Sequence, residues 1–202
     1  MARLIGPRNK LARAIGEDLG LRSKSEKLTR RLGIPPGQHG PKGRHKKSDY
    51  AIQLKEKQKL KFMYGLLERQ FRRYVAEALK AKGETGPTLI RELERRLDNV
   101  VYRLGLALTR AQARQMVTHG HVRVNNKLAS TPSYRVCIDD IISLSSRAMK
   151  TPVVEELLKL KGVSLPSWLK RQAAVGKVVR LPERADVSEP IVEQLIVEYY
   201  SR

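Results

Sequence analysis

The chain has 202 residues, enough for one domain or two small ones around a buried core. Hydrophobic residues make up 41% but aromatic residues only 5%, so the core must consist mainly of Leu, Ile, Val and Ala. The formal net charge is +21, and so many like charges repel one another unless a polyanion neutralises them. The favoured binding partner is therefore nucleic acid, and an anionic membrane surface is the second candidate.

Several sequence features argue against a membrane or secreted setting. No run approaches the roughly 20 apolar residues that a membrane-spanning helix needs. The first residues lack the apolar segment of a secretory signal, and the single Cys137 cannot form an internal disulfide. We therefore expect a cytoplasmic protein, or one of the stroma or matrix if the source is a plastid or mitochondrion.

Residues 1–47 form a basic extension. Positions 33–47, "GIPPGQHGPKGRHKK", combine Gly and Pro, which break regular structure, with several cations. One interpretation is an arm that becomes ordered on RNA, and the other is a disordered solubilising tail. The charge favours the first. Residues 151–202 are almost neutral, so we expect a scaffold there.

Residues 48–82 predict one long helix. Ser48 is a suitable N-cap, and Asp49 in the first turn suits the helix dipole. Apolar residues recur at steps of three and four, at Leu60, Met63, Leu67, Phe71, Tyr74 and Ala78. Arg69, Arg72 and Arg73 share another face. That face is either solvated or in contact with phosphates, and the absence of acidic residues from positions 69–76 favours phosphates.

Residues 88–120 predict two short helices. The first spans 88–105 with Thr88 as its cap, buries an apolar stripe and places basic and polar side chains on its other side: Arg95, Arg96, Asn99 and Arg103. Thr109 starts the second, and Gln112 three positions on completes a capping-box pattern. Arg110 and Arg114, one turn apart, are expected to face outward together, and Gly120 to end the helix.

A small sheet follows. Val122 and Val124 alternate with polar neighbours, as in a strand with one buried face, and Asn125-Asn126 suits a tight hairpin turn. "SYRVCI" (133–138) repeats the alternation, and Asp139-Asp140 predicts a turn into "IISL". If these pieces pack compactly, the helix arginines and the hairpin cations Arg123 and Lys127 form one cationic surface.

The remaining residues predict scaffold elements. A helix is expected at 151–162, with Thr151 as cap and Pro152 at its first position. Trp168 is interpreted as a packing anchor and 177–181 as a strand. The apolar segment at 191–202 should dock on the helical part.

The predicted fold class is α+β. A mostly helical, discontinuous first domain carries an inserted RNA-binding module of two short helices packed on a small, mainly antiparallel sheet. The expected divisions are the extension 1–47, a helical domain 48–87 completed by 186–202, and a module 88–185 with its core at 91–150.

Three sequence blocks carry a family resemblance: residues 34–74, residues 96–126 ("RLDNVVYRLGLALTRAQARQMVTHGHVRVNN") and residues 195–202 ("LIVEYYSR"). Residues 98–144 resemble the small RNA-binding unit named after the fourth protein of the small ribosomal subunit. All three blocks together resemble the bacterial-type family of that protein. The match is weakest at about 146–190.

The resemblance implies a function. Members of that family are structural constituents of the small ribosomal subunit that bind its rRNA directly, nucleate assembly of the subunit body and contribute to translational accuracy. It also implies neighbouring ribosomal proteins, especially the fifth, a position near the path by which mRNA enters, and no homo-oligomer. Some relatives carry zinc-binding cysteines near the amino terminus. Residues 1–50 contain no Cys, so we expect no metal and no cofactor.

Charge and resemblance together give the candidate rRNA contacts: Arg3, Arg8, Lys10, Arg13, Arg44, Lys46, Lys47, Lys55, Lys59, Arg69, Arg72, Arg73, Arg95, Arg96, Arg103, Thr109, Arg110, Arg114, His119, His121, Arg123, Asn125, Lys127 and Arg135.

Enzymatic chemistry finds little support in the sequence. His119 and His121 have no thiol or further His nearby to complete a metal site, and Asp139-Asp140 is explained by a turn. Neither a phosphate-binding loop nor a serine nucleophile motif occurs. The remaining alternative is a free-standing RNA-binding or RNA-modification accessory protein that uses the same module.

Overall fold

The structure, a computed structural model, describes residues 4–21, 26–40, 48–159 and 165–201. The chain divides into two compact units. Unit 1 comprises Met1–Leu89 and Glu189–Arg202, and unit 2 comprises Ile90–Ser188. The predicted contacts Arg3, Arg44, Lys46 and Lys47 lie outside the described residues, as do positions 160–162 of the helix predicted at 151–162.

Unit 1 is helical. Its helices are α1 (Arg8–Ile15), α2 (Glu26–Arg31), α3 (Asp49–Met63), α4 (Glu68–Lys80) and, from the end of the chain, α10 (Glu193–Tyr200); the unit also holds the start of α5 (Thr85–Glu94). The Ser48 side chain accepts a hydrogen bond from the Ala51 N–H at 3.3 Å, as predicted for an N-cap. α10 and α1 both pack against α3.

The prediction of one helix over 48–82 is wrong, because α3 ends at Met63 and a separate helix, α4, begins at Glu68. Gly65 adopts a left-handed φ of 62°, which a glycine tolerates and which ends a helix. The Leu66 N–H then donates to the Lys61 carbonyl at 3.0 Å, and the Leu66 side chain is fully buried. Leu60 and Phe71 of the predicted apolar stripe are fully buried, but they lie on two different helices, α3 and α4.

A hydrogen-bonded cluster joins α3, α4 and α10. Glu68 accepts hydrogen bonds from Lys57 at 2.9 Å, from Lys61 at 2.7 Å and from the Tyr200 hydroxyl at 2.8 Å. The Lys57 ammonium also lies 4.7 Å from the centroid of the Tyr199 ring. Burial alone would raise the pKa of Glu68, but the bonds from Lys61, Lys57 and Tyr200 outweigh it and lower that pKa to about 2.

Unit 2 combines helices with a sheet. Its strands are β1 (Val122–Val124), β2 (Lys127–Leu128), β3 (Ile141–Leu144), β4 (Leu169–Gln172) and β5 (Val175–Val178). Their order is β2-β1-β3-β5-β4, and every pairing is antiparallel. Its complete helices are α6 (Leu97–Arg103), α7 (Arg110–Thr118), α8 (Ser146–Met149) and α9 (Pro152–Lys159). The predicted α+β class is confirmed.

Three predicted elements in or entering unit 2 differ from the structure. The helix expected over 88–105 is divided into α5 and α6, because Arg96 is extended and forms an isolated bridge with Arg135. Thr88 lies inside α5, which begins at Thr85, and not at the start of that helix as predicted. Apart from this bridge, residues 133–138 form no strand, and the strand expected at 177–181 lies at Val175–Val178.

The hairpin and turns agree with prediction. Asn125 and Asn126 have φ values of 49° and 64°, and Asp139 has 67°. The Asn125 side chain accepts a hydrogen bond from the Ile141 N–H at 2.9 Å and donates one to Asp140 at 2.7 Å. Asn125, a predicted RNA contact, thus fixes the hairpin to the start of β3.

The core of unit 2 lies between α6, α7 and the sheet. Leu97, Val100, Val101 and Leu104 are fully buried, as predicted, and so is Trp168. Gly176 of β5 lies directly beneath Leu104. A Cβ added at Gly176 would lie 2.4 Å from Leu104 Cδ1 and 2.6 Å from Cδ2.

We predict that Gly176→Ala destabilises unit 2 by about 1–3 kcal/mol, the usual cost of overpacking a core. Trp168, the one tryptophan in the chain, reports unfolding of this unit by fluorescence in urea. The matched control is Val175→Ala, at an exposed position on the same strand, which should change stability by less than about 0.5 kcal/mol. Equal midpoints for the two variants would contradict the close packing of Gly176 on Leu104.

We also predict that unit 1 loses stability in acid through Glu68. Because the pKa of Glu68 in the folded protein, about 2, lies below the ordinary value of 4.5, its stabilising contribution is fully present above about pH 4.5 and disappears as the pH falls toward about 2. Glu68→Gln should make unfolding of α10 less dependent on pH across that window. Pulsed amide hydrogen exchange in α10 measures this, with exposed Glu84→Gln as control. An unchanged pH dependence would refute the role of Glu68.

Candidate nucleic-acid interface

The arginines of α6 and α7 do not form the open cationic face that the sequence predicted. Arg96 is fully buried and holds Asp98 through two hydrogen bonds, Nε to Oδ1 at 3.1 Å and Nη2 to Oδ2 at 2.7 Å. Arg114 of α7 approaches the same carboxylate at 3.9 Å. Asp98 therefore joins the start of α6 to α7, and these two arginines point back into the fold.

A second set of bonds extends this network. Glu94 is fully buried and receives two hydrogen bonds from Arg103, at 2.8 and 3.0 Å, and one from Asn99 at 2.8 Å. Arg110 Nε donates to Asn99 Oδ1 at 2.8 Å, and its guanidinium lies 4.5 Å from the Tyr102 ring centroid. Buried charges need such partners. The prediction that Arg110 and Arg114 face outward together is therefore wrong.

Other predicted contacts also have partners within the protein. Lys59 is buried and its ammonium pairs with Glu17 at 2.7 Å, so this predicted RNA contact already has a partner within the protein. Lys55 lies 3.9 Å from the same carboxylate. Arg13 donates to the carbonyls of Ile34 and Pro35, which ties α1 to the start of the basic arm.

Three more candidates play a structural part at the edge of the network. Arg95 donates to the Val136 carbonyl at 3.1 Å and to Glu92 at 2.9 Å. Arg135 is exposed and lies 3.2 Å from the same glutamate. The buried Thr109 hydroxyl accepts a hydrogen bond from the Gln112 N–H at 3.2 Å, so this oxygen caps α7, as its position in the sequence predicted.

The clearest open cationic surface in unit 1 is the outer face of α4, formed by Arg69, Arg72 and Arg73. All three are exposed, and within the part of the chain that the structure describes none of them forms a salt bridge. Arg8 and Lys10 on α1 are exposed as well, although Arg8 also donates to the Leu21 carbonyl at 3.1 Å.

In unit 2 the exposed candidates other than Arg135 lie on the hairpin and the turn before it. Arg123 and Lys127 extend into solvent from β1 and β2, and His119 is exposed at the end of α7, while His121 is half-buried. The rings of the two histidines have centroids 6.2 Å apart at an angle of 49°. Gly120 between them has a φ of 72°, the left-handed geometry that ends α7, as predicted.

These histidines border a groove of about 190 Å³. Its floor is apolar, from Met116, Ala148 and Val154, all buried. Its walls carry polar side chains, from Gln112, Gln115, His119, His121 and Thr151. Sequence reasoning named the histidines but missed the glutamines. The spacing of Gln112, Gln115 and His119 at steps of three and four was the available signal, because it places them on one side of α7.

Metal-binding clusters and membrane-spanning helices are both absent from the part of the chain that the structure describes. Among residues 4–21, 26–40, 48–159 and 165–201, no group of three or more His, Cys, Asp or Glu side chains is placed to hold a metal ion. Across the same ranges, no helix is both long and apolar enough to cross a membrane.

Comparison with known proteins identifies the family. The "Ribosomal protein S4/S9 N-terminal domain" family matches residues 3–94, and the "S4 domain" family matches residues 95–142. "Small ribosomal subunit protein uS4" of Roseiflexus castenholzii is 47% identical over a 208-position alignment that covers both chains completely. The chain belongs to the uS4 family.

Other relatives of the same name agree. The uS4 protein of Herpetosiphon aurantiacus is 49% identical over 211 positions covering both chains completely. That of Methylobacillus flagellatus is 49% identical over 205 positions, covering all of this chain and 98% of the relative. The resemblance predicted from the three sequence blocks is confirmed, and with it the expectation of a non-enzymatic, RNA-binding ribosomal protein.

The network around Glu94 and Asp98 gives a test. We predict that Arg110→Ala destabilises unit 2 by about 1–3 kcal/mol, because it leaves the buried Asn99 Oδ1 without its donor. Urea unfolding followed by Trp168 fluorescence measures the change. Arg123→Ala, an equal charge removal at an exposed position, is the control and should leave stability nearly unchanged. If Arg110→Ala were as stable as Arg123→Ala, the hydrogen bond from Arg110 to Asn99 would not hold this network together.

Proposed function

We propose that this chain is a structural constituent of the small ribosomal subunit that grips rRNA through exposed cations on each of its two units. In unit 1 the contact surface is the outer face of α4, with Arg69, Arg72 and Arg73. The single observation that carries the proposal is that these three arginines are exposed and make no salt bridge in the described part of a chain belonging to the uS4 family.

The chemistry of the α4 face suits a folded RNA. A guanidinium presents a planar fork of donors that matches two phosphate oxygens at once. Each neutralised phosphate releases condensed counterions, so affinity falls steeply as salt rises. The major groove of A-form RNA is too narrow for side chains, so specificity is expected from the shape of the RNA. A rigid row of arginines on a helix is compatible with reading such a shape.

In unit 2 the proposed contacts are the hairpin cations Arg123 and Lys127 together with His119. Asn125 supports them, because its bonds to Asp140 and Ile141 fix the hairpin. The buried arginines of α6 and α7 act indirectly: they hold α7 in place so that the turn and hairpin that follow it are presented in one geometry.

The role of this chain in subunit assembly and its neighbours in the ribosome are proposed as well. We infer that this protein nucleates assembly of the subunit body, contributes to translational accuracy, adjoins the fifth small-subunit protein and lies near the path by which mRNA enters. The proposed domain divisions are 1–47, 48–87 with 186–202, and 88–185. Family membership supports this role over the accessory-protein alternative. Stoichiometric presence in every small subunit on a sucrose gradient would distinguish the two.

The α4 surface gives a direct test. Replacing Arg69, Arg72 and Arg73 with Gln should weaken binding to a small-subunit rRNA transcript and reduce the slope of log affinity against log salt by roughly two to three units, since each phosphate contact contributes about 0.7–0.9. Filter binding over a salt series measures both quantities.

The matched control replaces the same three residues with Lys. It keeps the charge, so its salt slope should equal that of the wild type, with some affinity lost because lysine lacks the planar fork. A Gln variant whose slope equals that of the wild type would exclude this face of α4 from the rRNA interface.

A further inference from the structure

The groove beside α7 has features that phosphate binding does not explain. Its floor consists of the buried apolar side chains Met116, Ala148 and Val154, whereas a phosphate site is lined by donors and cations. Its walls carry two carboxamides and two imidazoles. This combination of an apolar base, flat rings and paired donors and acceptors suits a planar heterocycle.

We propose that the groove binds one unpaired nucleobase of the rRNA, with adenine the preferred base. This inference rests on the proposed function, because it takes rRNA as the ligand. RNA is recognised largely through single-stranded bases that are splayed out, stacked on aromatic side chains and hydrogen-bonded along their edges. Each of those requirements has a counterpart among the residues of the groove.

The size of the groove supports a single base. At about 190 Å³ it is smaller than the roughly 300–1,000 Å³ of pockets that hold drug-sized ligands. It is also open on one side, since Gln115, His119 and Thr151 are exposed at its rim. A base can therefore enter while its ribose and phosphates stay outside, and the net charge of +21 on the whole chain favours the approach of the phosphates.

Stacking is assigned to His119. Its imidazole is exposed, so stacking a base against it buries apolar surface that water now covers. The neighbouring His121 ring lies 6.2 Å away between centroids and is half-buried, so it is suited to form part of the wall.

Edge recognition is assigned to the glutamines. Gln112 accepts a hydrogen bond from the Leu108 N–H at 2.8 Å, which fixes its carboxamide and leaves its NH₂ group to donate. Gln115 is exposed one turn later and offers both a donor and an acceptor. A glutamine amide pairs with N6 and N7 of adenine, which is why adenine is preferred over guanine.

The groove is preorganised by backbone bonds. The His119 N–H donates to the Gln115 carbonyl at 2.9 Å, and the His121 N–H donates to the Met116 carbonyl at 2.9 Å. The His121 carbonyl in turn accepts from the Ser145 N–H at 2.9 Å, just before α8. The turn with both histidines is thus fastened to α7 on one side and to the α8 end on the other. The side chains that line the groove are therefore positioned before a base binds, which lowers the entropic cost of binding.

The test compares three full-length proteins on a small-subunit rRNA transcript. His119→Ala, which removes the stacking ring, should weaken binding roughly 5- to 150-fold, the range for losing one base stack. Its salt slope should equal that of the wild type, since no phosphate contact is lost. His119→Phe keeps a flat ring without a titratable nitrogen and should retain most of the wild-type affinity. Unfolding monitored by Trp168 fluorescence confirms that both variants are folded.

Dimethyl sulfate footprinting of these complexes, and of the complex formed by a fourth protein, Gln115→Ala, locates the base. One adenine should be protected by the wild type and by His119→Phe, and should become reactive with His119→Ala and with Gln115→Ala. Equal loss of affinity in the Ala and Phe variants with a reduced salt slope would show that His119 contacts a phosphate, and would overturn the inference. So would unchanged binding and footprint in His119→Ala.

The outcomes for the two proposals are separable. If the wild-type protein fails to bind the transcript, the proposed function fails and this inference fails with it. If the wild type binds, the α4 variant lowers the salt slope and His119→Ala behaves as the wild type, then the rRNA proposal stands and only the base-binding groove is refuted.

Discussion

Unit 2 depends on two buried carboxylates. Glu94 and Asp98 lie one helical turn apart in the chain but on opposite sides of the break between α5 and α6, and each is held by arginine donors. Removing one partner from such a network leaves a charge or a polar atom without compensation in a medium of low dielectric, which costs more than the bond itself was worth. The positions of α6 and α7 are therefore fixed as a pair, and so is the turn that follows α7.

This arrangement explains why the arginines of the unit differ so much in role. An arginine near Glu94 or Asp98 has its donors occupied, as Arg96 and Arg103 show. Arg123 forms no salt bridge among the described residues, and it remains exposed. Net charge alone cannot separate these two groups, because it counts both equally. What separates them is the three-dimensional position of the acidic residues.

Local patterns in the sequence predicted local structure well. The Ser48 and Thr109 caps, the Asn125-Asn126 turn and the buried stripe through Val100 and Leu104 all follow from chemistry within a few residues. The predictions were wrong where a residue far away in the sequence determines the local structure or the burial of a side chain. The break at Arg96 depends on Arg135, nearly forty positions along the chain, and the burial of Lys59 depends on Glu17. Helical periodicity assigned these cations to a solvent face because it carries no information about such partners.

The way α10 is attached to α3 bears on the order in which the protein can fold during synthesis. Unit 2 is one uninterrupted segment, so all its residues are available once position 188 has emerged. Unit 1 needs Tyr200 for the cluster around Glu68, and that residue is synthesised after the whole of unit 2. Domains tend to fold as units as the chain emerges. The inserted unit can therefore complete its core while the helices α3 and α4 still wait for their final partner, and closing the contacts across such a long chain separation is expected to be the slower step.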